Sequence, residues 1–106
     1  MTFDTELTAT SLSNLPMLLE SLAEPGRLLD IIVATSAGTF RFSITVRKLA
    51  ADPQYPHIWR LVGDPLYGEG HDQVVFAAGH RLTRSADGSV QLIEPEATVT
   101  IMAHPE

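Results

Sequence analysis

The chain has 106 residues, which is the size of one ordinary domain and too short for two. Hydrophobic residues make up 44% of it and charged residues 19%, a balance that favours a packed core over disorder. The sequence has no cysteine, which excludes a disulfide framework, thiolate catalysis and cysteine-ligated zinc. We therefore expect residues 1–106 to form a single compact domain.

The charges are distributed unevenly along the chain. The net charge is −6, all seven basic residues lie between Arg27 and Arg84, and the segments on either side carry only acidic charges. An acidic balance repels phosphate groups and so disfavours binding to nucleic acid or to an anionic membrane. The amino terminus is acidic, unlike a signal sequence, and the apolar stretches are far shorter than the ~20 residues of a membrane span. The sequence predicts a small acidic protein of the cytoplasm without membrane association.

The first elements in chain order are a short edge strand within residues 3–9 and a helix after it. Leucines at i, i+3, i+4 and i+7 mark one buried face of this helix. They are Leu15, Leu18, Leu19 and Leu22. Pro16 is tolerated in the first turn, and Pro25–Gly26 ends the helix. A helix this short is marginal alone, so its leucine face must pack on a sheet.

The rest of the chain is typical of strands joined by tight turns. Residues 28–36 are apolar on both faces, which predicts a strand covered on both sides. After a hairpin loop at 36–38, apolar and polar residues alternate strictly, with Phe40, Phe42, Ile44 and Val46 on the core face. Further strands are predicted at 57–63, at 73–85 with a bulge near Gly79, at 89–94 and at 97–101.

An early helix followed by hairpins, without crossover helices, argues against a doubly wound parallel sheet. The predicted fold class is α+β. It consists of a single antiparallel sheet of about five or six strands, with the N-terminal helix packed on one face. A strongly curled sheet that closes toward a barrel is the alternative.

One loop concentrates groups that could carry chemistry. The candidate metal ligands are Asp64, Glu69, His71 and Asp72. Imidazole and carboxylates could hold a divalent metal, and an oriented His71 could act as a base. Phosphate-binding glycine loops, nucleophile elbows and zinc-protease motifs are absent from the sequence, and we expect no cofactor.

A row of polar side chains alternates with the core face of the strand after the hairpin. The row consists of Arg41, Ser43, Thr45 and Arg47, extended by Lys48. It could grip an acidic partner, although such a row is also the ordinary solvent face of an antiparallel strand.

These observations predict a non-enzymatic interaction module: an adaptor, chaperone or inhibitor that presents a sheet face or edge to another protein. The polar row is its expected partner-binding surface, and self-association into a homodimer is a further expectation. Two alternatives stay open: a small enzyme or metal-binding domain centred on residues 64–72, and a ligand pocket between helix and sheet.

Overall fold

The computed structural model describes residues 3–66 and 71–105. Within these ranges the chain forms two short helices, α1 (Ala9–Ser13) and α2 (Leu15–Leu19), followed by a 3-10 turn (Glu20–Ala23). The strands are β1 (Phe3–Glu6), β2 (Leu28–Thr35), β3 (Gly38–Ala51), β4 (Ile58–Pro65), β5 (Gln73–Ala77), β6 (Arg81–Arg84), β7 (Val90–Ile93) and β8 (Ala97–Ala103). No helix in the described ranges is long and apolar enough to cross a bilayer.

All eight strands join one antiparallel sheet in the order β1-β6-β7-β8-β2-β3-β4-β5. The α+β class with a single antiparallel sheet is therefore confirmed, but the predicted count of five or six strands is wrong. Part of the difference lies at Gly79, where φ is +97° and the chain turns instead of bulging. The segment predicted as one long strand, 73–85, is therefore two strands in different parts of the sheet.

The sheet curls so strongly that its two ends approach each other at this corner. Leu7, directly after β1, accepts a hydrogen bond from the Gly79 N–H at 2.8 Å. The Leu7 N–H in turn donates to the His80 carbonyl at 2.7 Å. Because Gly79 and His80 follow β5, these bonds bring both edge strands of the described sheet, β1 and β5, close to one corner.

The helix predicted around the leucines begins with Pro16 in its first turn, as expected, but a short helix α1 precedes it and a 3-10 turn replaces its last part. α1 begins after Thr8, whose side chain accepts a hydrogen bond from the Ser11 N–H. Pro16 has no N–H to donate to Leu12, and its ring would clash with the Leu12 carbonyl in a continuous helix. α1 therefore ends at Asn14, and α2 begins there as a separate helix.

The leucine face packs as predicted even though α2 ends at Leu19 and a 3-10 turn follows it. Leu15, Leu19 and Leu22 are buried, and Leu18 is half-buried against the same core. They lie on the inner face of the sheet together with Leu29 and Ile31 of β2. This inner face is the core of the molecule.

The outer face of β2 is less covered than the sequence predicts. Leu29 and Ile31 on the inner face are fully buried, whereas Leu28 and Ile32 on the outer face are half-buried. The expectation that β2 is covered on both sides is therefore wrong. Its continuous apolar run instead reflects a central position between β3 and β8.

Candidate binding cleft

The helical segment covers only part of the inner face and leaves the other end of the sheet open. The pairing register of the strands determines which residues lie at this open end. Val33 of β2 lies opposite Phe40 of β3 on one side and Val99 of β8 on the other. Phe42 of β3 lies two positions further along the same face, opposite Ile31. The side chains of these strands form an apolar floor.

The rings of the two phenylalanines in this floor contact the ring of a histidine. The ring centroids of Phe40 and His71 are 5.0 Å apart in a stacked arrangement, and those of Phe42 and His71 are 5.2 Å apart. Phe40 and Phe42 are themselves stacked at 6.3 Å. His71 enters from the end of the loop before β5, where the Gly63 N–H donates to the Asp72 carbonyl and fixes this segment to β4.

Phe40 is not buried by these contacts. It is 42% exposed, although it lies on the same face of β3 as the fully buried Ile44 further along the strand. The alternation of β3 thus predicts correctly which side Phe40 faces but not that this end of the face lies open. The cause is the short helical segment, which ends before it reaches Phe40.

The open space beside these rings, here called the aromatic cleft, has a volume of about 230 Å³. Its lining residues are Val33, Phe40, Phe42, His71, Gln73, Val74, Val75, Glu94 and Val99. Most of this lining is apolar. A cleft of this kind can receive an apolar or aromatic group and hold it by burial and ring contacts.

A broader depression of about 990 Å³, here called the acidic trough, adjoins the aromatic cleft. It lies between the β2–β3 hairpin loop and the turn before β8, and its lining residues are Thr35, Ser36, Ala37, Glu94, Pro95, Glu96 and Ala97. Glu94 lines both spaces. The described lining of the trough contains two carboxylates and no basic side chain.

Glu94 is held in place by the backbone and by a histidine. Its N–H donates to the Ala97 carbonyl at 2.9 Å, which closes the turn between β7 and β8. Its carboxylate Oε1 lies 3.7 Å from Nε2 of His80, and its side chain remains 28% exposed. The carboxylate is therefore positioned at the junction but still accessible.

The candidate metal ligands do not assemble among the described residues. Asp64 lies on the outer face, where its carboxylate is 3.7 Å from an Arg47 guanidinium nitrogen and both side chains are well exposed. His71 instead stacks on Phe40, at the inner face. Glu69 lies outside the described residues. Within those residues, no group of three or more His, Asp or Glu side chains is placed to hold a metal.

The predicted polar row does form a surface on the outer face of β3. Arg41, Ser43 and Thr45 lie opposite Ile32, Asp30 and Leu28 of β2. Arg47 lies at an irregularity between Val46 and Lys48, where the register with β4 shifts. Parts of the row are already engaged, since Ser43 bonds Asp30 and Arg47 pairs with Asp64.

Ser43 belongs to a cluster with Asp30 and His104 that sequence reasoning missed. The Ser43 hydroxyl donates to Asp30 Oδ1 at 2.7 Å, and Nδ1 of His104 lies 2.9 Å from both carboxylate oxygens. These three residue types form catalytic triads when histidine lies between serine and aspartate. Here the aspartate lies between the other two, so His104 cannot take the Ser43 proton. The cluster therefore links β2 to β3 and to the residue after β8 by hydrogen bonds, and it does not form an activated nucleophile.

Hydrogen bonding also sets the charge of this cluster. Desolvation by burial acts to raise the pKa of Asp30. Hydrogen bonds from Ser43 and His104, together with the positive charges of His104 and Arg41, outweigh it and lower that pKa below its ordinary value. Asp30 therefore stays an anion on the outer face.

No protein-family model, curated protein or solved structure matches the chain.

Proposed function

We propose that the chain is a non-enzymatic interaction module that binds a segment of another protein in the aromatic cleft. The observation that carries this proposal is Phe40, an aromatic side chain that is 42% exposed on the core face and is stacked on His71. Exposed aromatic side chains beside a preformed apolar notch are typical of binding surfaces.

The geometry favours binding over the two alternatives. A metal site would need converging His and carboxylate groups, and the described residues bring Asp64 and His71 to different faces. An internal ligand pocket would be enclosed between helix and sheet, whereas the aromatic cleft is open and lined by strand and loop residues. The polar row on β3 is a weaker candidate surface, because Ser43 is already hydrogen-bonded to Asp30 and Arg47 is already paired with Asp64.

Selection of binders from a random linear peptide library, displayed on phage, tests the proposal even though the partner is unidentified. We expect enriched peptides to bind the wild-type chain and to lose about tenfold or more of their affinity for Phe40→Ala, since aromatic anchors dominate such interfaces. Tyr55→Ala is the matched control, because Tyr55 is 57% exposed and lies outside the cleft lining.

Thermal melting of both variants shows whether each is folded. Phe40→Ala is expected to melt within a few degrees of the wild type, because much of its side chain is already in solvent. Absence of any enriched peptide, or binding that Phe40→Ala leaves intact, would overturn the proposal.

A further inference from the structure

We infer that the cleft selects partner segments in which an apolar or aromatic anchor is followed closely by lysine or arginine. This inference rests on the proposed function and adds the chemistry of the partner. The supporting observation is that the apolar aromatic cleft and the acidic trough share the lining residue Glu94, so the two spaces adjoin.

The anchor is determined by the floor of the cleft. Val33 lies between Val99 of β8 and Phe40 of β3, and Phe40 stacks on His71. With about 230 Å³ available, the cleft accepts one side chain rather than a folded element. Apolar burial and ring stacking give the binding energy at this position.

The neighbouring residue of the segment is determined by charge. A chain leaving the cleft past Glu94 enters the trough, where Glu96 is exposed and the described lining carries no basic side chain. The protein as a whole has a net charge of −6, which adds a long-range attraction for a basic segment. An acidic segment would meet like charges on the same path, which is unfavourable.

The polar atoms of the trough also favour a side chain with several donors. Carboxylates accept hydrogen bonds only, so lysine ammonium or arginine guanidinium groups complement them and acidic or amide oxygens do not. The backbone of Glu94 is fixed by the β7–β8 turn, and its carboxylate is 28% exposed and therefore accessible to such donors. The occupant is therefore an extended peptide segment, apolar at one position and basic beside it.

Two synthetic peptides test this partner chemistry. Both carry one tryptophan in a Gly/Ser background, and the residues after it are Lys-Lys in one and Glu-Glu in the other. We expect the basic peptide to bind more tightly in low salt, with each glutamate contributing about two- to fivefold. The preference should shrink at high salt, because exposed charges are screened.

The test variant is the double substitution Glu94→Gln and Glu96→Gln. The control variant is the double substitution Glu6→Gln and Glu24→Gln. It changes the net charge by the same amount, at exposed positions outside the lining of the cleft and the trough. The test variant should abolish most of the preference for the basic peptide, and the control variant should leave it intact. Equal effects of the two variants would show that only net charge is sensed and would overturn the inference.

The results separate this inference from the proposed function. Loss of binding of both peptides in Phe40→Ala supports the cleft, whatever the charge preference. Binding that depends on Phe40 but is equal for the two peptides refutes the basic partner alone. If neither peptide binds, and sedimentation shows a dimer that Phe40→Ala dissociates, the occupant is a second copy of the chain and the inference is wrong.

Discussion

Arg84 joins the sheet to the helical segment from an inward-facing position on β6. Its side chain is only 12% exposed. One guanidinium nitrogen contacts Glu20 Oε1 at 2.6 Å, and the other donates to the Leu19 carbonyl at 3.3 Å. A cation placed this way donates to a backbone carbonyl at the C-terminal end of α2, a favourable position for a basic side chain. Arg84 therefore holds the leucine face against the sheet.

Replacing Arg84 by methionine should destabilise the fold by about 1.5–3 kcal/mol, because hydrogen bonds from a charged donor are lost in a largely buried place. Arg81→Met is the matched control. Arg81 also pairs with a carboxylate, Asp4 at 2.6 Å, but both side chains are 53% exposed. Such exposed pairs contribute roughly 0–1 kcal/mol. Urea denaturation of the two variants measures the difference, and equal losses would contradict the role assigned to Arg84.

Asp30 gives the fold a dependence on pH. Its pKa is lowered in the folded chain, so its contribution to the free energy of unfolding is complete above the unfolded value of about 3.9. That contribution is lost as pH falls through the lower, folded pKa.

The variant Asp30→Asn should consequently be less stable than the wild type at neutral pH, and the difference should narrow in acid. Asp64→Asn is the control, because its ion pair with Arg47 is long and exposed. Urea unfolding at a series of pH values from neutral to strongly acidic measures both. A constant gap between Asp30→Asn and the wild type across that range would show that the carboxylate charge is not the cause.

At this scale the sequence indicates a residue's environment but not its partner. Asp30 is recognisable as the one charge in an apolar strand, yet His104 lies 74 positions away. The two meet only because β8 pairs with β2. Similarly, alternation predicts the side on which Phe40 lies, whereas its contact with His71 depends on how the loop before β5 returns.

Among the elements, the helical segment shows that a leucine pattern can be buried as predicted although the α-helix is shorter than predicted. The i, i+3, i+4, i+7 spacing of its leucines requires only that each turn presents one face to the sheet. α2 and the 3-10 turn achieve this as two short pieces. The burial of the leucines and the place of Pro16 in the first turn could therefore be predicted, while the separate helix α1 and the end of α2 at Leu19 could not.

Two positions in α2 test this packing directly. Leu15 is fully buried and Met17, two residues later, is 72% exposed. Leu15→Ala should cost about 2–5 kcal/mol through lost burial and the cavity left behind. Met17→Ala should change stability by about 0.5 kcal/mol or less. Chemical denaturation gives both values, and a large effect of Met17→Ala would place that face of α2 against something other than solvent.

The strands were easier to locate than to separate. Strict alternation identifies β3, and the turn residues Ser36–Ala37 identify its hairpin with β2. The sequence predicts a bulge at Gly79, whereas the structure has a turn there, because a glycine within an apolar run permits both. Which of the two forms depends on the distant contact with Leu7, which no local pattern contains.

For the whole molecule, the sheet order decides where self-association could occur. The apolar strand β2, which made a dimer attractive from the sequence, lies in the middle of the sheet and offers no edge. The edges of the described sheet are β1 and β5. A homodimer formed by strand pairing would therefore use one of these, and β5 is the longer.

We expect a species of twice 11.5 kDa in sedimentation equilibrium at micromolar concentration. Ala77→Lys places a charge on the outer face of β5 and should weaken pairing there, because edge charges oppose strand addition. Gln91→Lys adds the same charge to β7 at a position paired on both sides, with Thr83 and Thr100, and should have no effect. A monomer at all concentrations would rule out the dimer.

The position of β8 has a consequence for the order of events during synthesis. This strand is the last of the eight to leave the ribosome, yet it lies between β7 and β2 and joins β1-β6-β7 to β2-β3-β4-β5. β1 also cannot pair until β6 has been made, since Asp4 pairs with Arg81, which lies 77 residues later in the chain. Before residues 97–103 have been made, the ladders that β8 forms with β2 and β7 are missing, and the leucine face lacks part of its support. Until β8 has been made, this apolar surface is open to chaperones and to aggregation.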